Sequence, residues 1–511
     1  MRSGPFKSAD PSHIAVIAAS SEKVLRYAEL DEQSNKIASY LRQLGLNNGD
    51  TIAVCLENRV EYFALVWAGL RSGLMVTPIN KYLSAEEIEY IVSNSESKVL
   101  FCSETYHSIA YEIALNCNSC SHVFSVDGSF RGVKSLQESL KNSEDNKTDW
   151  DIRGNLFCYS SATTGRPKGI ELPLSLDSYQ EKKEDMTAAL AAISMGQETV
   201  YLCPAPLYHA APIQYSTALQ ELGATIVVME KFDAKKALDC IERYKVTFSQ
   251  WVPTMFVRML KLPEPERLQY DISSQTFVLH AAAPCPVDVK KAMLDWWGPI
   301  IYEYYGGSER NGSTYVTPQE WLSNPGTVGK AHMGTIRICN EAGEELPAGE
   351  VGRIYFDLPD VSFEYKGDLK KTKEARHPVH PTWTTLDDVG YVNEEGYLFL
   401  TGRFSHMIIS GGVNIYPQEI EDCLCMFPGV EDVAVIGVPH DEMGEEVKAV
   451  VELSDGYSPS AELEQRIIAY ASHAMARFKC PKSVDFVDKL PRLETGKLAK
   501  RELYKQYWPD K

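Results

Sequence analysis

Thr51-Ile-Ala-Val-Cys55, a helical pattern from Val60 to Leu70, another from Glu86 to Val92, and then Lys98-Val-Leu-Phe-Cys102 decide the fold class of this chain. The first run follows a Gly49-Asp50 turn and reads as a buried strand, because apolar and β-branched residues continue without polar alternation. Upstream, Leu30, Ile37, Leu41 and Leu44 recur at helical spacing. Strand and helix patterns keep alternating through about the first 400 residues, which predicts an α/β class of helix-covered, mainly parallel sheets. Near residue 403 the texture changes. A short strand (Met407 to Ser410), a helix with Ile420, Leu424 and Phe427 on one face, and strands Val433 to Val438 and Val447 to Leu453 follow. A helix from Ala461 to Ala476 and a last one near Lys500 complete a tail of about 105 residues, enough for a small α+β domain.

The chain has 511 residues, and 51 Lys+Arg against 70 Asp+Glu leave a net charge of −19. A 44% hydrophobic, 24% charged composition is that of a folded globular protein and excludes a disordered one. The acidic balance argues against nucleic-acid or anionic-membrane partners, which want a basic face, but leaves room for one polyphosphate site. The most membrane-like stretch, Tyr62 to Ile79, is broken by Arg71-Ser72, so no transmembrane segment is expected. The N-terminus is a poor signal peptide, and twelve scattered cysteines fit reduced thiols in a cytoplasmic protein. Cys117-Asn-Ser-Cys120 lacks a second pair at zinc-site spacing.

The strongest local signal is Tyr159-Ser-Ser-Ala-Thr-Thr-Gly-Arg-Pro-Lys-Gly169. Hydroxyls and backbone N–H groups can bond phosphate oxygens while Arg166 and Lys168 offset their charge. It is not a Walker loop, since no Ser or Thr follows the lysine. The segment resembles the phosphate-binding loop of the adenylate-forming superfamily, the acyl-CoA synthetases, adenylation domains and luciferases. Tyr304-Tyr-Gly-Gly-Ser-Glu309, Thr385-Leu-Asp-Asp-Val-Gly390, Gly402-Arg403 through Ile420, and Pro491 through Arg501 resemble its later motifs in the same order. The chain is identified as a member of the AMP-dependent acid–CoA ligase branch.

The resemblance implies a large N-terminal domain over residues 1–402, a hinge at 403–405 centred on Ser405, and a mobile small domain over 406–511 that carries the catalytic lysine. It implies nucleotide contacts from Ser160, Ser161, Thr163, Thr164, Gly165 and Lys168, then from Ala282, Ala283, Pro284 and Glu303, and from Tyr304, Tyr305, Gly306, Gly307 and Ser308. Glu309, with Thr164, would hold Mg²⁺ on the triphosphate, as a hard cation prefers. Tyr305 would stack beside adenine. Asp388, two residues before Gly390, would take the ribose hydroxyls with help from Arg403; Asp387 is the competing carboxylate. Lys497 would neutralise charge developing at the α-phosphate while the substrate carboxylate attacks it. After the small domain rotates, Ser410, Gly411 and Gly412 would line the path of the CoA thiol. Three positions depart from the pattern: Ala162 and Gly402 replace a usual Gly and Asp, and Ser405 stands where Asp or Lys is common. They bear on hinge energetics rather than on the chemistry.

Pro206 through Pro212, Trp251 through Thr254 and Leu279 through Pro286 match segments that line the acid pocket of acyl-CoA synthetases. They offer Tyr208, His209, Pro212, Tyr215, Trp251, His280 and Ala281, with His209 as gate or carboxylate-orienting residue. The small residues at 210, 211 and 281–283 leave room for a medium-to-long fatty acid or a bulky or aromatic one. The expected reaction is ATP-dependent formation of acyl-AMP and pyrophosphate, then transfer to CoA. The alternative is transfer to an amine or to the thiol of a carrier protein acting in trans. ATP, Mg²⁺ and CoA are the implied cofactors and co-substrates, and a homodimer is the default assembly. Finally, His473 to Leu503 carries eight basic and four acidic residues, a local +4 against −23 elsewhere, which could meet ATP and CoA phosphates in turn.

Overall fold

The computed structural model describes residues 4–141, 152–160, 166–174, 185–359, 363–492 and 498–508, with the side chains of Asp185 and Arg501 left aside. The chain forms two compact units, one of residues 1–251, 262–278 and 362–372, the other of 252–261, 279–361 and 373–511.

In the first unit the alternation read from the sequence produces parallel sheets. Thr51–Cys55, Met75–Pro78, Ser97–Cys102, His122–Ser125, Lys134–Ser135 and Asn155–Leu156 form six strands, every neighbouring pair parallel. All five residues of Thr51–Cys55 are buried, which is why this strand shows no polar alternation. The helix Val60–Leu70 is buried at every position except Glu61, so the membrane-like stretch is core. Among the described residues no helix is long and apolar enough to cross a membrane. A second group sets Val200–Cys203 beside Thr225–Val228 and Phe248–Trp251, and Ile14–Ala18 beside Thr225–Val228, all parallel. A third, antiparallel group joins Tyr159–Ser160, Lys168–Glu171 and Glu364–Tyr365.

The second unit departs from the parallel pattern. Ile301–Gly306, Ser313–Val316, Thr327–Met333, Leu398–Arg403, Asp388–Val392, Gly352–Asp357 and Thr335–Cys339 lie in that order with every neighbouring pair antiparallel. Residues 408–508 of the same unit build a five-stranded sheet on the long hairpin Val430–His440 and Gly444–Leu453. Successive side chains of a strand point to opposite faces. Val433, Val435, Val447, Ala449 and Val451 accordingly pack with Ile420, Leu424 and Ile467, while Ala434, Ile436, Val438 and Val450 pack with Leu490 and Leu503. Burial on both faces explains the unbroken apolar run Val433 to Val438. The helices Pro417–Leu424, Ala461–Ala474 and Lys500–Tyr507 stand where the sequence predicts them, though Phe427 joins the cluster from beyond the first helix's end.

Candidate active site

In the first unit, Lys168 pairs in register with Ser160, and Gly169 with Tyr159. A Cβ at Gly169 would lie 2.9 Å from the Tyr159 ring, so glycine lets these two short strands close. They flank the loop residues Ser161, Thr163, Thr164 and Gly165, which lie outside the described residues, as does Lys497. The Lys168 ammonium sits 5.0 Å from the centre of the Tyr365 ring. His209 occupies the N-cap of the helix Ala210–Glu221 without capping it through its side chain, and its ring lies 4.4 Å from that of Tyr208. Pro212 is buried in the first turn, and Tyr215 meets Phe248 edge-on at 5.9 Å. Trp251 is 1% exposed and donates its indole N–H to Ser249 Oγ at 2.7 Å, so it stands within the core.

Sequence reasoning missed Asn58. Buried at 5% exposure, it donates to the carbonyls of Ala205 and Met229 and accepts from the Leu207 N–H at 2.8 Å. These three bonds fix the backbone just before Tyr208 and His209. A buried amide satisfied entirely by backbone is a strong positioning device. The sequence signal was slight: a polar residue three positions past the buried strand Thr51–Cys55.

In the second unit, Asp388 opens its strand with 8% exposure. Tyr305 donates its hydroxyl to Asp388 Oδ2 at 2.7 Å, and Arg403 donates Nε–H to Oδ1 at 3.1 Å. Burial, then the adjacent carboxylate, push the Tyr305 phenol well up. Asp388 in turn pushes the Arg403 guanidinium up. Tyr305 also packs against Phe356 at a ring distance of 6.1 Å. The neighbouring Asp387 has a left-handed backbone (φ +70°) and faces Arg353 at 3.5 Å. The two carboxylates therefore serve different cations, and Asp388 is the one that joins Tyr305 and Arg403.

Glu309 lies within a turn in which the Arg310 N–H reaches the Gly307 carbonyl at 3.2 Å. A Cβ at Gly307 would stand 2.6 Å from Glu309 Oε2 and 2.6 Å from Leu386 Cδ1, so glycine there makes the cradle in which the Glu309 carboxylate lies. Among the described residues of this unit, the non-glycine residues with positive φ are Ala282 (+75°), Arg310 (+52°) and Asp387 (+70°). Each adjoins or belongs to a predicted nucleotide-contact segment, and strain of this kind collects at functional sites. Ala281 is buried, whereas Ala282 and Ala283 are exposed and Pro284 is half-buried.

Glu303 has a different setting from its neighbours Tyr304 to Ser308. Its carboxylate is 5% exposed and meets Lys290 Nζ at 2.5 Å and His280 Nε2 at 3.3 Å. Any nucleotide contact at this position falls to its backbone. Burial opposes ionisation, but the Lys290 ammonium, with the His280 ring beside it, prevails and holds Glu303 below the ordinary carboxylate range. Lys290 was also missed by the sequence reading.

Ser410, Gly411 and Gly412 form the end of the hairpin Ile408–Ser410 and Val413–Ile415, with Ser410 opposite Val413. Both glycines have positive φ, +57° and +79°, as a two-residue hairpin turn of this type requires. That geometry accounts for the glycine pair without a ligand. Ser405 is exposed within the short turn Phe404–His406. Three cations of the basic segment are held by carboxylates that precede it: Lys479 by Glu419 at 2.7 Å, Lys500 by Glu421 at 2.7 Å, and Arg492 by Asp432. Three of the segment's eight cations are thus offset within the fold.

The chain belongs to the AMP-binding enzyme family: the family's model matches residues 7–365, and the model of its C-terminal domain matches residues 419–497. Among relatives, it is 29% identical over 497 residues to a long-chain-fatty-acid–CoA ligase, FadD13, of Mycobacterium tuberculosis, covering 96% of this chain and 95% of that one. It is also 29% identical over 513 residues to a feruloyl-CoA synthase of an Amycolatopsis species, covering 99% and 98%. The crystal structure of ATP-bound MatB from Rhodopseudomonas palustris superimposes with a TM-score of 0.81 at 28% identity, over 99% of both chains.

Proposed function

We propose that this protein joins a carboxylic acid to coenzyme A through an acyl-adenylate, at the expense of ATP. The observation that carries the reading is Asp388, a nearly buried carboxylate whose two oxygens are each oriented by one donor, Tyr305 and Arg403. Each oxygen keeps a further acceptor position for the vicinal hydroxyls of a ribose.

In the first half-reaction a carboxylate oxygen of the acid attacks the α-phosphorus, and the bond to the β-phosphate breaks to release pyrophosphate. Positioning and charge stabilisation supply the rate, with Lys168 and the loop hydroxyls on the phosphates and Lys497 on the α-phosphate. Mg²⁺, when bound with the nucleotide, neutralises triphosphate charge. The donor set fits a single carboxylate plus phosphate oxygens, and the cradle at Gly307 suits Glu309 to that task. In the second half-reaction the CoA thiol adds to the acyl carbonyl, AMP leaves, and the thiol proton passes to solvent. Rotation about Ser405 would exchange Lys497 for the Ser410–Gly412 turn between the halves. The acid is medium-to-long fatty or bulky and aromatic, a reading supported by the small side chains at 210, 211 and 281–283 and by the two relatives' own substrates.

The test is incubation with ATP, Mg²⁺, CoA and a panel of fatty and aromatic acids while pyrophosphate and free thiol are followed together. Stoichiometric loss of both is expected. Pyrophosphate release with no thiol consumed would move the acceptor to an amine or a carrier thiol, and silence across the panel would sink the reading. Lys497→Ala should abolish adenylation yet still convert supplied acyl-adenylate to thioester.

A further inference from the structure

Glu303, Lys290 and His280 come from three elements, the strand Ile301–Gly306, the helix Val287–Trp297 and the end of the strand Phe277–His280. Lys290 and His280 are 0% exposed. The Lys290 ammonium meets Glu303 at 2.5 Å and also lies 4.9 Å from the Trp321 ring centre. His280 packs edge-on against Phe256, and among the described residues neither of its ring nitrogens has a hydrogen-bond partner. Its approach to Glu303, 3.3 Å, is close enough for charge but is not aligned as a hydrogen bond. The charged groups facing His280 are Glu303 and Lys290; Cys285 faces the same two and also Asp422, and Phe256 supplies an apolar wall.

Sealed charges must nearly cancel, because an unpaired ion in an apolar interior is expensive. With Lys290 ionised against ionised Glu303, the cluster is neutral only if His280 is uncharged. Burial indeed pushes the His280 imidazolium down. We propose that Lys290 is a positioning residue: by neutralising Glu303 it keeps His280 an uncharged imidazole at the start of the Ala281–Pro284 segment. This rests on the proposed acyl-adenylate function, in which that segment lines the nucleotide and acid sites. Both substrates of the first half-reaction are anions, and an uncompensated Glu303 would repel them through a low-dielectric wall. Remove the lysine charge, and His280 becomes the remaining base able to balance Glu303.

The experiment is histidine-selective NMR of the full chain, with the His280 resonance assigned through His280→Gln. In the wild-type protein the resonance should stay in its neutral position from about pH 9 down to about pH 6. In Lys290→Met it should titrate within that window, at least about one unit above the wild-type midpoint. The kcat/KM of Lys290→Met should fall about tenfold as pH rises through the same midpoint, because the balancing imidazolium is lost. Lys290→Met/Glu303→Gln, with both charges gone, should be folded and its His280 silent. Titration of His280 in the wild type, or its silence in folded Lys290→Met, overturns the proposal. If Lys290→Met does not fold, the double variant decides: folded and silent supports charge compensation, while failure to fold shows that the shape of the lysine matters. The NMR readout needs no substrate, so its failure is separable from failure of the pyrophosphate and thiol assay.

Discussion

Glu303 and Asp388 are two carboxylates of the same unit, each served by one cation and one further polar ring, yet they differ in depth. The Glu303–Lys290 pair has side chains 5% and 0% exposed, whereas in the Asp388–Arg403 pair they are 12% and 39% exposed. A sealed pair cannot exchange a partner for a ligand, so its interaction is part of the fold. The Asp388–Arg403 pair is the less buried of the two and, in the function proposed above, is the one that takes the ribose hydroxyls beside its existing donors. In that proposal depth, rather than residue type, separates the structural carboxylate from the one offered to a ligand.

The largest effect should come from breaking the sealed pair. Lys290→Met leaves a buried carboxylate without its ammonium and should destabilise the protein by about 3–5 kcal/mol at neutral pH, read by urea unfolding. The double variant Lys290→Met/Glu303→Gln should recover most of that loss. A single variant as stable as the wild type would mean that Glu303 is not sealed. Glu303 also predicts a pH limb: its folded pKa lies below its unfolded one, so its contribution is present above the ordinary glutamate range and is lost as pH falls through the folded value.

The open pair should behave in the opposite way. Asp388→Asn removes charge-assisted bonds to the ribose and to Arg403 but buries no orphaned ion. ATP-dependent pyrophosphate release should fall in kcat/KM by about 10–100-fold, while stability changes by less than about 1 kcal/mol. A variant that loses stability but keeps its kcat/KM for ATP would reverse the comparison.

The same contrast shows what could be read in advance. Asp388 was legible because it lies in a motif, and strand alternation then separates it from Asp387. The parallel strands up to residue 251 were legible because burial on both faces leaves continuous apolar runs. The antiparallel sheet of residues 301–403 was not, since its strands mix polar and apolar residues and leave no continuous apolar run. Lys290 went unread because a helical lysine ordinarily faces water. The missed signal is its register: Lys290, Met293, Leu294 and Trp297 occupy i, i+3, i+4 and i+7, the apolar stripe of their helix, and all are buried. The glycine pair at 411–412 meets the demand of a hairpin turn, so its composition is explained by the turn whether or not a thiol passes it.

A smaller effect tests the cradle beside the open pair. Gly307→Ala puts a methyl 2.6 Å from both Glu309 Oε2 and Leu386 Cδ1. Both are ends of flexible side chains, so the fold should survive at a cost of about 1–2 kcal/mol. The carboxylate must move, and the Mg²⁺ concentration for half-maximal pyrophosphate release should rise by about three- to tenfold. An unchanged Mg²⁺ requirement would separate Glu309 from the cation.

Asp422 supplies the third term of the comparison, a carboxylate that faces other carboxylates. Gln418 donates to its Oδ1 at 2.7 Å, and burial together with the nearby charges of Glu421 and Glu419 raises its pKa to about 7. Glu419 and Glu421 are themselves held by Lys479 and Lys500, which leaves Asp422 to lower its energy by keeping its proton. The folded state therefore binds one proton more than the unfolded state between about pH 4 and about pH 7. Stability from this group is full below that interval and is lost as pH rises through it, by at most about 1.4 kcal/mol per pH unit. That is the reverse of the Glu303 limb, and the two should together give an optimum on the acid side of neutrality. Asp422→Asn keeps the Gln418 geometry and cannot ionise, so urea unfolding of the variant should show a flatter decline between about pH 5 and about pH 7. Equal slopes for variant and wild type would mean that Asp422 is already ionised in the folded protein, and that burial on this helix is shallower than the Gln418 contact implies.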